Sequence, residues 1–195
     1  GITTIHHEFE AADWVGTIEP LREVATAVEL IDALNNSGNI AVIQLTANID
    51  LGGSDWAPIG TSDAPFTGVL DGNDFKISNF KVSDTDYAAF IAYAGENTAI
   101  KNLTLEGVDI SSGKYAAGVV CEAADGLKIE NVTVSGVIEA TSYAAGIVFN
   151  VDGIEIKDCV NNAEISAQRA AGIASWVTSG ANIENVTNNG DITGG

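Results

Sequence analysis

The stretch IKNLTL at residues 100–105 returns as IENVTV at residues 129–134 and as IENVTN at residues 183–188. Its core is Ile-x-Asn or Ile-x-Asp, and five copies place the Asn or Asp at Asn79, Asn102, Asn131, Asp158 and Asn185. The intervals between these positions are 23, 29, 27 and 27 residues. Apolar and polar residues alternate within the copies, which is the period of a β-strand. A strand-rich repeat of this length is typical of a solenoid, in which each unit packs against its neighbours.

Two further signals keep the same period. Tyr87, Tyr115 and Tyr143 each begin a Tyr-Ala-Ala segment, and Arg169 begins the corresponding Arg-Ala-Ala segment. An isoleucine follows each of the last four Asn or Asp positions by seven or eight residues, at Ile110, Ile138, Ile165 and Ile192. Three anchors per period predict three short strands per coil, with coils stacked about 4.8 Å apart. Because crossovers between parallel strands are strongly right-handed, the predicted fold is an all-β, single-stranded, right-handed parallel β-helix.

The five Asn and Asp positions are interpreted as a structural ladder rather than as a binding site. Equivalent residues of successive coils form columns, so these side chains are expected to stack at one turn. There each amide can bond to the backbone and to the side chain of the next coil. Cys121 and Cys159 fall in different columns of different coils, so a disulfide between them is not expected.

Residues 1–38 are predicted to form an N-terminal arm and a capping helix, and residues 39–195 the β-helix repeats of the same structural domain. Thr26 and Glu29 have the spacing of a capping box, which satisfies the free amides at a helix start. Apolar residues follow at helical spacing, and Asn35-Asn36-Ser37-Gly38 supplies the stop. A helix near residues 27–36 can cover the open end of the β-helix, whose terminal strand would otherwise be unpaired.

Size and charge exclude several classes of protein. The chain has 195 residues, 46% of them hydrophobic, which suits one domain with a buried core. Its 27 acidic and 8 basic residues give a net charge of −19. The resulting field repels phosphate backbones and anionic lipid surfaces, so binding to nucleic acid is not expected. Membrane insertion is not expected either, because no apolar run approaches the roughly 20 residues of a membrane span.

No cofactor is predicted, and calcium is the one metal left open. A zinc site needs three or four Cys and His ligands at short spacings, whereas His6 and His7 are adjacent and far from both cysteines. Carboxylate oxygens in loops suit calcium, although no EF-hand order or repeated GGxGxD motif is present. The aspartates in or near predicted loops are Asp50, Asp55, Asp84 and Asp86.

Enzymatic activity is not expected. Glycoside hydrolysis needs two carboxylates that converge on one sugar bond. The closest acid pair in a distinctive motif, Asp71 and Asp74, lies in a turn whose backbone itself favours Asp, Gly and Asn. The basic residues that a lyase would use are scattered singly. A polysaccharide lyase or hydrolase is therefore the third functional hypothesis.

One part of the chain resembles a known family. The segments LTANIDL (45–51), WAPIGT (56–61) and FTGVLDGNDFKISNFKV (66–82) follow a predicted helix. They precede Ile-x-Asn repeats that end in AAGVV or AAGIV. In this arrangement the chain is similar to bacterial surface β-helix proteins with GLUG-type repeats, which occur beside immunoglobulin A1 metallopeptidases and in adhesin-like proteins of gut bacteria. The resemblance covers about residues 24–195 and implies a β-helix exported to the bacterial cell surface.

The candidate ligand-binding residues are Tyr87, Tyr115, Tyr143 and Arg169. If their side chains point outward, three rings one coil apart form an aromatic strip that can stack on sugars or peptides. The alternative is that the rings stack only on one another at a corner and seal the alanine-rich strand beneath. The first functional hypothesis is a non-catalytic, extracellular adhesion module that binds a glycan or a host or bacterial surface protein. The second is an architectural stalk or spacer that presents another domain.

Overall fold

The computed structural model describes residues 19–178 and 180–195, without the side chain of Asp84. His6 and His7 therefore lie outside the described residues. One α-helix, α1 (Ala27–Asn35), and one 3-10 turn (Ser37–Asn39) stand near the start. The strands are β1 (Arg22–Val24), β2 (Val42–Leu45), β3 (Ile49–Asp55), β4 (Val69–Asp71), β5 (Lys76–Ala88), β6 (Ile91–Ala94), β7 (Ala99–Ala117), β8 (Val120–Ala123), β9 (Lys128–Ala140), β10 (Tyr143–Ala145), β11 (Val148–Val151), β12 (Glu155–Lys157), β13 (Val160–Asn161), β14 (Glu164–Ala167), β15 (Arg169–Ala171), β16 (Ala174–Val177), β17 (Asn182–Glu184), β18 (Thr187–Asn188) and β19 (Ile192–Gly194).

The strands wind into a parallel β-solenoid, which confirms the predicted fold class. One face has the order β1-β2-β4-β7-β9-β12-β17, and every neighbouring pair on it is parallel. A second sheet, β6-β8-β11-β16, is also parallel throughout. Since each strand pairs with the strand one coil away, the repeat seen in the sequence is one turn of the solenoid. The long strands β5, β7 and β9 bend around the corners between faces.

Columns of apolar side chains fill the interior. One column joins the fully buried residues Ile43, Leu70, Ile100, Ile129 and Ile156 across successive coils. Nearer the start of the chain, aromatic rings fill the interior. These are Trp56, Phe80 and Phe90, with Trp56 stacked on Phe90 at a centroid distance of 4.8 Å. The indole Nε1 of Trp56 also donates to the Phe90 carbonyl at 2.9 Å, so this buried polar group is satisfied.

A ladder of side-chain amides follows one corner of the solenoid. The Nδ2 atom of Asn102 donates to Asp71 at 3.1 Å, and Asn131 donates to Asn102 at 3.1 Å. Two coils on, Asn185 donates to Asp158 at 3.1 Å. Asn102, Asn131, Asp158 and Asn185 all have φ between 50° and 53°, a left-handed conformation that Asn and Asp tolerate well. The left-handed backbone at this corner thus explains why Asn or Asp recurs there, and the bonds between coils explain why these side chains stack.

Asn79 lies outside this ladder, contrary to the sequence-based expectation. Ile77 is in register with Leu105 rather than with Ile100, so its Ile-x-Asn copy belongs to another corner. There Asn79 donates to Asp50 at 3.0 Å. In that coil Asp71 accepts from Asn102, although Asp71 is the register partner of Lys101 and so stands one residue before the ladder position. The irregular interval of 23 residues between Asn79 and Asn102 reflects this difference.

The N-terminal end has the predicted cap. Thr26 Oγ1 accepts from the Glu29 amide, and the Glu29 carboxylate accepts from the Thr26 amide, which completes the capping box of α1. The inner face of α1 packs into the core through Leu30, Ala33 and Leu34. However, β1 precedes the helix and already pairs with β2. The parallel sheet therefore begins before residue 39, where the sequence analysis placed its start.

Candidate binding surface

The three tyrosines and Arg169 occupy one column on the outside of the solenoid. Tyr87, Tyr115 and Tyr143 are partners in the registers of β5, β7 and β10, and Arg169 follows in β15. Ring centroids are 5.2 Å apart for Tyr87 and Tyr115, and 5.9 Å for Tyr115 and Tyr143. Both pairs are tilted by about 45°. These four residues are called the aromatic row below.

The rings cover a small apolar cluster that is separate from the main core. Its members are Ala89, Ala117, Cys121 and Phe149, all buried, with the tyrosines packed against them. Tyr115 stacks on Phe149 at a centroid distance of 4.6 Å and an interplanar angle of 11°. The half-buried tyrosines therefore do two things: they seal this corner, and they leave their outer edges to solvent.

A second column, on β6, β8, β11 and β16, runs beside the aromatic row. It consists of Tyr93, Glu122, Asn150 and Trp176. Tyr93 lies 5.3 Å from Tyr87, and Trp176 lies 5.7 Å from Tyr143, as centroid distances. Trp176 is 49% exposed, in contrast to the half-buried tyrosines. The continuous aromatic surface of the two columns is a series of five contacting rings, which are Tyr93, Tyr87, Tyr115, Tyr143 and Trp176.

The sequence analysis missed Phe149, Tyr93 and Trp176 as members of this surface. None of them repeats with the period of the chain: their columns also contain Cys121, Glu122 and Asn150. A search limited to repeated residue types passes over them. The signal available in the sequence was the distance from the first residue of each Tyr-Ala-Ala or Arg-Ala-Ala segment. Glu122, Asn150 and Trp176 lie seven residues after it, and Tyr93 lies six residues after Tyr87.

Within the aromatic row, Arg169 contacts Tyr143 and has no carboxylate partner among the described residues. Its guanidinium carbon lies 5.0 Å from the Tyr143 ring centroid, and Nη1 donates to the Tyr143 hydroxyl. Among the described residues, every other Lys or Arg has a carboxylate oxygen within 4.0 Å. These are Arg22, Lys76, Lys81, Lys101, Lys114, Lys128 and Lys157. Arg169 thus brings an uncompensated positive charge to the surface of an acidic protein.

Two titratable groups near the row are held neutral. Burial, followed by the charge of Glu122, raises the pKa of Tyr93 well above its usual value. Burial also raises the pKa of the Cys121 thiol far above its ordinary range. Because the thiolate is the reactive form, Cys121 is a packing residue and not a nucleophile at neutral pH.

The acid pair singled out for catalysis is used by the turn. Asp71 Oδ1 accepts from the Asn73 amide at 2.9 Å and from Asn102 at 3.1 Å, and Oδ2 lies 3.2 Å from Lys101 Nζ. Burial opposes ionisation of Asp71, but the bonds to Asn73, Asn102 and Lys101 outweigh it and lower the pKa. Asp74 faces Asn131 Nδ2 at 3.5 Å. Both carboxylates are bonded within the corner rather than aimed at a common point.

The aspartates considered for calcium have other partners or lie apart. Asp50 accepts from the Gly52 amide at 2.8 Å and from Asn79, and these bonds lower its pKa. Asp86 is paired with Lys114 at 2.8 Å. Asp55 is on β3, and the side chain of Asp84 is not described. Within the described residues, no three His, Cys, Asp or Glu side chains are grouped so as to hold a metal ion.

Comparison with known proteins identifies the family. A family model described as "Putative pectate lyase-like adhesive domain" matches residues 21–142, more than half of the chain. The chain belongs to this family. The description of this adhesive domain names adhesion as its role and pectate lyases as its likeness. It does not mention GLUG repeats, so that part of the resemblance stays a prediction.

The relatives of this chain are much longer proteins. "Putative Gly-rich membrane protein" of Evansella cellulosilytica is 33% identical over 120 residues, which are 54% of this chain and 14% of that protein. "Halomucin" of Haloquadratum walsbyi is 32% identical over 108 residues, 51% of this chain and 1% of that protein. The chain thus spans a small part of each. No solved structure matched the chain. In the described residues, α1 falls far short of the length and apolarity of a membrane-spanning helix.

Proposed function

We propose that this domain is a non-catalytic adhesion module of the bacterial cell surface and that its ligand, a glycan or a surface protein, contacts the aromatic row. The observation that carries the proposal is the continuous aromatic surface formed by Tyr87, Tyr115, Tyr143 and the neighbouring column. Contiguous exposed apolar patches on a soluble protein often mark an interaction site. The family description as an adhesive domain and the name of one relative as a membrane protein support the same conclusion.

The geometry supports one way for a ligand to meet the row. The tyrosine rings contact one another at interplanar angles of about 45°, and each is half-buried, so part of each ring remains accessible. Each ring carries a hydroxyl that can bond a ligand, the Tyr143 hydroxyl also accepts from Arg169, and the coils repeat about every 4.8 Å. The exposed ring of Trp176 supplies a face on which an apolar sugar surface can stack. An extended glycan lying along the solenoid axis can use both kinds of contact.

A glycan array tests the proposal, with two triple variants of Tyr87, Tyr115 and Tyr143 beside the wild type. Replacement by Ala removes both the row and the cover over Cys121 and Phe149, so this variant also reports on folding. Replacement by Leu keeps an apolar cover but removes the rings and hydroxyls. Val137→Ser, on another exposed strand face, is the control. We expect glycan binding by wild type and control, and none by the Leu variant with an unchanged circular dichroism spectrum.

The second candidate is an architectural spacer that presents another domain. It is favoured by the side-chain bonds that join successive coils, such as those from Asn102 to Asp71 and from Asn131 to Asn102, because they stiffen the solenoid along its axis. A spacer requires no ligand. If the wild type bound nothing on arrays of glycans and of surface proteins, the adhesion proposal would be refuted and the spacer function would be favoured.

A further inference from the structure

We infer that Arg169, Trp176 and Asn150 form a subsite for a single carboxylate-bearing sugar at one end of the aromatic row. The inference rests on the proposed function, since it specifies the ligand class of the same surface. It requires three properties: a cation free to bind a carboxylate, a ring free to stack on a sugar, and a charge environment that selects among acidic glycans.

The cation is available because Arg169 has no carboxylate partner within residues 19–178 and 180–195. The other seven basic side chains of the chain are each paired with an acid, most of them on a neighbouring coil. Only one guanidinium nitrogen of Arg169 is engaged, by the Tyr143 hydroxyl, and the ring of Tyr143 lies beneath the group. The remaining N–H groups form the planar fork that binds carboxylates in a bidentate manner. Contact with Tyr143 restricts the side chain before a ligand arrives.

The sugar-binding face is adjacent to this cation. Trp176 is 49% exposed, and its ring centroid lies 5.7 Å from that of Tyr143, the ring that Arg169 contacts. Asn150 is the register partner of Trp176 on the preceding coil, so its amide projects from the same face of the sheet. A pyranose ring stacked on Trp176 can therefore direct hydroxyls to Asn150 and a carboxylate to Arg169.

The charge of the domain selects for one carboxylate rather than many. At a net charge of −19, each further negative charge on a ligand is repelled by the whole domain. A local guanidinium compensates for one such charge, because contacts shorter than the screening length of about 10 Å at 0.1 M salt dominate. Glu122 lies two coils from Trp176 in the same column and disfavours a second anionic sugar along the row. The ligand class is a largely neutral glycan with one acidic residue.

The same contacts would exist if Arg169 served only to cap the tyrosine stack. In that case Arg169 would stabilise the fold through Tyr143 and would have no effect on a ligand. The test therefore needs readouts that a structural cap does not change: selectivity for a carboxylate and the local fluorescence of Trp176.

The experiment measures binding by calorimetry and by quenching of tryptophan fluorescence. The probes are sialyllactose, lactose as its uncharged counterpart, an oligosaccharide of neutral sugars with a single glucuronate, and tri-galacturonate. Sialyllactose and the glucuronate-containing oligosaccharide distinguish a sialic acid from a uronic acid as the source of the carboxylate. The variants are R169Q, R169K and W176F, with K128Q as a control that removes an exposed cation on another face.

We expect at least one singly acidic probe to bind wild type and K128Q about tenfold to a hundredfold more tightly than lactose or tri-galacturonate. R169Q is expected to remove this preference, R169K to retain part of it, and W176F to abolish the fluorescence change. Equal binding of lactose and both singly acidic probes, or undiminished binding by R169Q, would overturn the subsite while leaving the adhesion proposal intact. Failure of both singly acidic probes to bind wild type would also overturn it, and the glycan array then decides the adhesion proposal separately.

Discussion

Replacing Asp71 tests how far the corner ladder supports the solenoid. Asp71 is only 8% exposed, and its carboxylate joins three elements: the turn amide of Asn73, the amide of Asn102 on the next coil and the ammonium of Lys101. Asp71→Ala removes all three contacts and leaves two donors without an acceptor. Asp71→Asn keeps a carbonyl oxygen for Asn73 and Asn102 and removes only the charge.

The magnitudes follow from these contacts. Hydrogen bonds to a charged acceptor contribute roughly 1.5–3 kcal/mol each, and two of them are lost in Asp71→Ala. The ion pair with the half-exposed Lys101 adds less than about 1 kcal/mol. We therefore expect Asp71→Ala to lower the free energy of unfolding by about 3–5 kcal/mol. Asp71→Asn should lower it by about 1–2 kcal/mol.

Urea denaturation followed by far-ultraviolet circular dichroism measures both values, and pH separates the charge from the hydrogen bonds. The pKa of Asp71 is lowered in the folded protein, so its charge stabilises the fold above the unfolded pKa of about 3.9. This contribution is lost as pH falls through the folded pKa. The stability difference between wild type and Asp71→Asn should therefore be constant near pH 7 and disappear in strong acid. A cost below about 1 kcal/mol for Asp71→Ala at pH 7 would refute the reasoning.

Four further predictions concern other parts of the solenoid. Gly146→Ala places a Cβ 2.1 Å from the Gly172 carbonyl oxygen, so denaturation should show a loss of about 2 kcal/mol or more. Gly38→Ala, which meets nothing within 4 Å, is its control and should change little. Thr26→Ala removes the helix cap and should cost about 1 kcal/mol by the same assay, whereas an unchanged midpoint would show that the cap is dispensable. Cys121 should resist alkylation at pH 8 until urea unfolds the chain, and rapid labelling of the folded protein would contradict its burial. Calcium and chelator should give the same melting temperature; a rise with calcium would support a calcium site.

The sequence predicted the features that recur in every repeat. It missed residues that occur once and the coil that departs from the repeat. The Tyr-Ala-Ala segments align as expected, because a regular repeat of 26–28 residues leaves one register that buries every apolar column. Asn79 was misplaced because its coil contains an extra turn, which the Ile-x-Asn motif alone does not reveal. Trp176 was missed because it occurs once, and its proximity to Tyr143 arises from the folding of β16 against β11.

The hydrogen bonds of the corner ladder all point in one direction along the solenoid, and the series is interrupted once. Each amide donates toward the start of the chain, from Asn131 to Asn102 and from Asn102 to Asp71, so the side-chain dipoles align head to tail. Asp158 has no side-chain amide to donate to Asn131, and the next run begins there with Asn185, which donates to Asp158. The side-chain ladder therefore consists of two runs, whereas the parallel pairing of β9 with β12, β13 and β14 continues across the interruption. We expect Asp158→Asn to supply the missing donor and to join the two runs into one ladder.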